Sequence, residues 1–377
     1  MEVEMLVANK TDINPKRLVG LIHALDLGGA ERIMLSILNN FVKEGFEVHL
    51  IVFDNRGALK DALSNEIVLH DLAIPSVMKG IPKCLKTIHG IKPDIVFTGI
   101  GHLNIALSSF VPLMKRLLPK SKWISRETNI VSLHNQISKY PKLFDWLYKH
   151  AYINYDNIIA QSEDMKADLE KNYFSSEKIL VINNPVDVEK VALLASKDRT
   201  GLFDKTKINL LSVSGLRKQK RHDLMLKMLV LLPKEYHLTI VGTGEMEEDL
   251  KALSKSLNIE ERVTFKGQQS NPYVYMKEAA LFVHTSQREG FPNVFLEANV
   301  LGLPLVAFSC MGGIKEIIEE GVNGFYAPFG ECELLAQKIE KAMNFSFDKD
   351  KIIAQSIQKY SKETILEKYK TLFKGTI

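Results

Sequence analysis

Short apolar runs alternate along this chain with longer stretches whose apolar residues recur at helical spacing. Arg17–Leu25, Glu47–Phe53, Asp94–Phe97, Lys122–Ser125 and Asn157–Ala160 read as strands. Between the first two, Ile33, Leu35, Ile37, Leu38 and Phe41 make the stripe of an amphipathic helix. A polar linker, Ser196–Lys207, interrupts the pattern, which then restarts with strands at Ile208–Val213, His237–Val241, Val263–Phe265, Leu281–His284 and Leu305–Ala307. Strands separated by helices imply crossover units and parallel sheets. The expected fold class is therefore α/β: two Rossmann-like, doubly wound domains in series, residues 17–190 and 200–350. The amphipathic segment 351–377 is expected to pack back on the first domain, and residues 1–16 read as a loose lead-in. Ligands bind beyond the carboxyl ends of such sheets, and two of them facing each other leave a cleft.

Composition narrows the class. A length of 377 residues suits two cores rather than one, and 46% hydrophobic with 25% charged residues is ordinary for a folded globular chain. Met1-Glu2-Val3-Glu4-Met5 places acids where a signal peptide needs bases. The most apolar stretch, Ile95–Met114, is broken by His102, Asn104, Ser108 and Ser109 and reads as strand, loop and helix rather than a membrane span. Cys84, Cys310 and Cys332 form no CxxC pair, so neither a disulfide framework nor a zinc site is indicated and a reducing cytoplasm is the expected setting. A net charge of +4 says little by itself. Between Lys115 and His150, however, eight bases face only Glu127 and Asp145, interleaved with Trp123, Tyr140, Phe144, Trp146 and Tyr148. That mixture suits the anionic inner face of a cell membrane; the plainer reading is a solvated helix face over core aromatics.

The most informative loop is Ser286–Glu297. It follows the buried run Ala280-Leu281-Phe282-Val283 and leads into a helix. Pro292 suits a first helical turn, which leaves the N–H groups of Asn293 and Val294 free for a phosphate. Glu289 before the helix and Glu297 within it can each accept hydrogen bonds from hydroxyls. Anion donors flanked by two carboxylates fit a nucleotide sugar better than a bare phosphate.

Other strand ends add to this. Gly28-Gly29-Ala30-Glu31-Arg32 opens a helix and permits close approach of a ligand, although the doublet also suits a plain turn. The segment Gly215-Leu216-Arg217-Lys218-Gln219-Lys220-Arg221-His222 gathers bases past a strand end, where they suit a diphosphate. Gly242-Thr243-Gly244 lacks a third glycine at Glu247, so a dinucleotide oxidoreductase loses its fingerprint and a tight turn is the better reading. Gly312-Gly313 repeats the strand–glycine–helix arrangement beside the Glu289 loop. His23 is either a core or a cleft group. Asp348-Lys349-Asp350 lies away from any strand end and is discounted as a metal pair.

Together these residues resemble the retaining glycosyltransferases of family 4, which have the GT-B fold. The resemblance runs from about Arg17 onward. It rests on the E-x7-E pair Glu289 and Glu297 within Ser-x-x-Glu-Gly-Phe-Pro-Asn-Val-x-x-Glu-Ala, on a GGAER loop at Gly28–Arg32, and on Asn184-Pro185-Val186-Asp187 closing the first domain. Phe265 with Gly267, and Gly312-Gly313 to Gly324, are further landmarks.

The resemblance implies a donor, usually a UDP-sugar, in the C-terminal domain and an acceptor in the N-terminal one. Glu289 would approach the sugar hydroxyls, backbone around Gly290, Phe291, Pro292, Asn293 and Val294 would hold sugar and diphosphate, and Glu297 would bind the ribose. Lys220 matches the family lysine that neutralises the leaving diphosphate, and Gly28-Gly29 would close over it. Two departures stand out. Gly215 occupies the place of the family arginine, leaving Arg217 or Lys218 to substitute, and Glu127 lies nearest the place of a family histidine. The expected protein is a cytoplasmic, metal-independent, cofactor-free transferase acting on a lipid-linked or polysaccharide acceptor, peripheral to the membrane through residues 115–150, with no nucleic-acid partner. A UDP-sugar epimerase, a phosphorylase and a non-catalytic nucleotide-sugar-binding protein are the alternatives.

Overall fold

The computed structural model describes residues 15–26, 28–197 and 201–375. The lead-in up to residue 14 and linker positions 198–200 lie outside them. Among the described residues thirteen strands form two sheets. The first contains β1 (Arg17–Ile22), β2 (Glu47–Val52), β3 (Val68–Asp71), β4 (Ile95–Thr98), β5 (Lys122–Arg126), β6 (Asn157–Ala160) and β7 (Ile179–Val181), in the order β3-β2-β1-β4-β5-β6-β7. The second contains β8 (Ile208–Val213), β9 (Tyr236–Val241), β10 (Val263–Phe265), β11 (Leu281–His284), β12 (Leu305–Ser309) and β13 (Gly324–Pro328), in the order β10-β9-β8-β11-β12-β13. The strand pairs are parallel, including β8 with both β9 and β11. This is the doubly wound α/β architecture expected from the alternation.

The runs are continuously apolar because both faces of each sheet are covered. In the second sheet Leu210, Leu238, Ile240, Leu281 and Val283 belong to one core, and Leu211, Val241, Phe282, Leu305 and Ala307 to the other. Neighbours such as Leu210 and Leu211 part because successive side chains on a strand point to opposite faces.

By compactness the described residues form two units: 15–125 with 151–156, and 126–150 with 157–375. In the second unit the C-terminal segment is two helices, Lys349–Tyr360 and Lys362–Lys374, parted at Ser361. Val186 bonds to both sides of that break, donating to Tyr360 O and accepting from Lys362 N. Tyr369 is buried where the Arg126 charge reaches its hydroxyl. Asp348 caps the helix that follows by accepting from Lys351 N, which accounts for the Asp348–Asp350 pair.

Candidate active site

The site is built on strand ends of the second sheet. After β11 the chain turns through Thr285–Pro292 into the helix Asn293–Asn299. Pro292 stands one residue before that helix, as its N-cap, rather than inside the first turn as expected. The N–H groups of Asn293 and Val294 donate to nothing among the described residues.

Lys220 and Glu289 lie 69 residues apart in sequence, yet their charged ends meet at 2.6 Å. His284, at the end of β11, lies 2.8 Å from the same carboxylate oxygen, Oε1. Both groups therefore donate to Oε1, and Oε2 takes no hydrogen bond among the described residues. Burial alone would raise the Glu289 carboxyl, but the Lys220 charge and the bonds from His284 and Lys220 outweigh it and hold the group below the usual carboxylate range. Burial also lowers His284 more than Glu289 raises it, so the ring is neutral with its proton on Nε2. His222 is also buried, 3.0 Å from Ser214 Oγ, and is pushed down to about 3, chiefly by burial, with the Lys220 charge adding to it.

The loop is fixed from several sides. Gln219 donates to Arg288 O and accepts through its own carbonyl from Gln287 N. Gly313 N donates to Gly290 O, and Asp164 accepts from Gly312 N. Asn184 donates to Phe291 O at 3.2 Å and to Asn293 Oδ1 at 2.7 Å, while the buried Arg126 donates to Asn184 Oδ1. Asn183 donates to Glu316 Oε1. A Cβ on Gly312, which has φ +119°, would lie 1.8 Å from Glu289 O, and one on Gly313 would strike the Phe291 ring. The glycine pair is therefore required by close packing against the Glu289 loop.

Glu289 and Gly290 line a cavity of about 140 Å³, together with Asn129, His134, Gln219 and Arg288. His134 keeps much of its ring open to solvent, but crowding and the Arg288 charge hold it below the ordinary imidazole value.

Other expected site residues are not among those lining this cavity. Glu297 receives a hydrogen bond from Tyr273 at 3.1 Å. Arg217 and Lys218 are exposed, and their side chains make no hydrogen bond or ion pair among the described residues. Gly215 lies against the Gly242–Gly244 turn, where Leu216 N donates to Thr243 O and a Cβ on Gly244 would meet Leu216 O at 2.4 Å, as a tight turn requires. Glu127 is buried, receives a hydrogen bond from Tyr148, and is not among the cavity-lining residues. In the first unit, Gly28 N-caps the helix Gly29–Lys43 with the Glu31 carboxylate packed against it. His23 is half-buried and bonds to Pro75 O.

The basic segment is less uniformly a surface than its composition implies. Lys115 is ion-paired to Asp156 at 2.6 Å, Lys122 is half-buried, and Arg126 is fully buried. Trp123 and Tyr148 are core residues. Tyr140, Leu143 and Trp146 are each more than half exposed, and Lys139, Lys142 and Lys149 are exposed beside them.

Comparison with known proteins places the chain in a family. Residues 27–190 match the family described as Glycosyltransferase Family 4, and residues 195–363 that described as Glycosyl transferases group 1. The lipopolysaccharide 1,6-galactosyltransferase of Salmonella typhimurium is 32% identical over 60% of this chain and 68% of its own length. A Campylobacter jejuni N-acetylgalactosaminyltransferase acting on a diphospho-undecaprenol glycan is 28% identical over 80% of this chain and 83% of its own. Anabaena HepE, solved with UDP-glucose, superposes with a TM-score of 0.79 at 20% identity, covering 95% of this chain and 99% of that one. That likeness gives the fold, GT-B. The chain belongs to the glycosyltransferases, with a family 4 module followed by a group 1 module.

Proposed function

We propose that this glycosyltransferase moves a sugar from a UDP donor, with retention at the anomeric carbon and without a metal, to a lipid-linked or polysaccharide acceptor in bacterial surface-glycan synthesis. One observation carries the reading: Lys220 and His284 occupy one oxygen of Glu289 and leave Oε2 for a ligand at the wall of the cavity. A carboxylate that stays ionised accepts hydrogen bonds from sugar hydroxyls. The Lys220 ammonium has three donors, of which Glu289 takes one, so the others can meet a diphosphate. The N–H groups of Asn293 and Val294, which donate to nothing among the described residues, add fixed dipoles. Such groups act where negative charge grows, on the leaving UDP, and so favour the transition state over the intact donor.

In the step itself the acceptor oxygen bonds to the anomeric carbon as the bond from that carbon to the β-phosphate oxygen breaks. The acceptor's proton passes to the departing phosphate oxygen on the same face. Glu297 serves the ribose in this reading, and Arg217 or Lys218 supplies a second cation for the diphosphate.

The names of the Salmonella and Campylobacter relatives support a surface-glycan acceptor, and the HepE complex supports UDP. Exposed Tyr140, Leu143 and Trp146 beside Lys139, Lys142 and Lys149 support docking on the anionic inner face of the membrane. No helix among the described residues is long and apolar enough to cross one.

The test is release of UDP from a panel of UDP-sugars with and without lipid-linked acceptor. Acceptor-dependent release supports the reading. Turnover of the donor alone would indicate an epimerase, and UDP-sugar binding without turnover a binding protein.

A further inference from the structure

Arg288 has no role in the reading above. Its backbone is immobilised, since Gln219 Nε2 at 2.8 Å and Ser286 Oγ at 3.0 Å both donate to its carbonyl. Its guanidinium makes one long bond, 3.4 Å to Leu133 O, and no ion pair with a carboxylate among the described residues. Arg288 nevertheless lines the same cavity as Glu289. Lys220, outside the lining, is matched by Glu289, and the Arg288 charge beside His134 works against a second cation on that ring. Among the described residues Arg288 is thus the one Lys or Arg lining the cavity, it has no ion pair, and most of its five planar donors are unspent. A guanidinium fork with its donors unspent fits a carboxylate or phosphate through paired hydrogen bonds. The Asn129 and Gln219 amides on the same wall suit neighbouring hydroxyls, and Ile137 gives an apolar surface for a sugar ring.

We propose that Arg288 is the anchor of an oxyanion subsite in this cavity, taking a carboxylate or phosphate group carried by the sugar of the donor or by the acceptor. This rests on the glycosyltransfer reading but is separate from the diphosphate contact assigned to Lys220.

Calorimetry on the full chain tests it with Arg288→Gln and Arg288→Lys. In the donor arm, UDP-glucuronic acid is compared with UDP-glucose. In the acceptor arm, glucose 1-phosphate is compared with glucose on UDP-saturated enzyme, and inorganic phosphate is titrated with no nucleotide present. The expected result is a preference for the anionic ligand of about tenfold or more in one arm, abolished by Arg288→Gln and partly kept by Arg288→Lys, with UDP affinity unchanged. The arm that responds identifies the carrier. Equal affinity for charged and neutral ligands in both arms overturns the subsite. So does a loss of UDP affinity in Arg288→Gln, which would make Arg288 a diphosphate ligand. Wild-type enzyme that binds no UDP overturns the functional reading instead, and the phosphate titration still decides the subsite.

Discussion

Lys220 Nζ lies 2.6 Å from Glu289 Oε1, and this ion pair ties the loop after β8 to the loop after β11. The two side chains retain 22% and 11% exposure, enough contact with solvent to temper the pair's strength but not to make it a surface bridge. Lys220→Met should therefore cost about 3 kcal/mol, the low end for breaking a buried pair, because Glu289 is left without its counter-charge. The double variant Lys220→Met/Glu289→Gln should recover much of that in urea denaturation, while transfer falls at least about 100-fold in each variant. Full transfer by Lys220→Met would contradict the assignment.

Stability should fall with acid in two windows. His222 has a folded value of about 3 against an ordinary 6.5, so below 6.5 the unfolded chain binds a proton that the folded chain refuses. Its contribution is present above pH 6.5 and is lost progressively as pH falls toward 3. Glu289, also lowered, contributes above 4.5 and loses that contribution as pH falls further. Urea midpoints measured across this range should show both; His284, also lowered by burial, adds to the upper window, so His222→Gln should reduce its slope and leave the lower window unchanged.

The central strands were legible because they are continuously apolar, as Leu281–His284 and Ile208–Val213 show. The strands not anticipated, β3, β7 and β13, are all at sheet edges. Val68–Asp71 is half open to solvent, Ile179–Val181 has only three residues, and Gly324–Pro328 carries a glycine and a proline that read as turn. At the site, Glu289 and Lys220 were visible by motif, but their partners were not. His284 reads as the end of a strand, Asn183 and Asn184 as turn residues, and Arg126 as part of a basic surface. Only the fold brings the last two together in a buried hydrogen bond. The one available signal for His284 was its position at a strand end, five residues before Glu289.

Gly312→Ala should abolish transfer and destabilise by at least about 2 kcal/mol, since φ is +119° and the new methyl would meet Glu289 O at 1.8 Å. Gly90→Ala is the control. It lies in the helix Val77–Ile91 with nothing within 4 Å of its Cβ position, and should stabilise by about 0.5–1 kcal/mol. Thermal melts and transfer rates on both variants check the contrast.

Trp146→Ala and Leu143→Ala should leave stability within about 0.5 kcal/mol, because both side chains are mostly exposed. Each should weaken sedimentation with anionic vesicles. Replacing Lys139, Lys142 and Lys149 with serine should remove about 1 kcal/mol apiece and abolish the salt sensitivity. Unchanged vesicle binding in these variants would leave the exposed face without a membrane role.

The most direct measurement is a crystal structure of the enzyme with UDP. The account predicts a phosphate oxygen within hydrogen-bonding distance of Lys220 Nζ and of the Asn293 or Val294 N–H, with the ribose hydroxyls at Glu297. A nucleotide bound in the unit of β1 to β4, or bound with Lys220 and the Asn293 N–H both untouched, would contradict it.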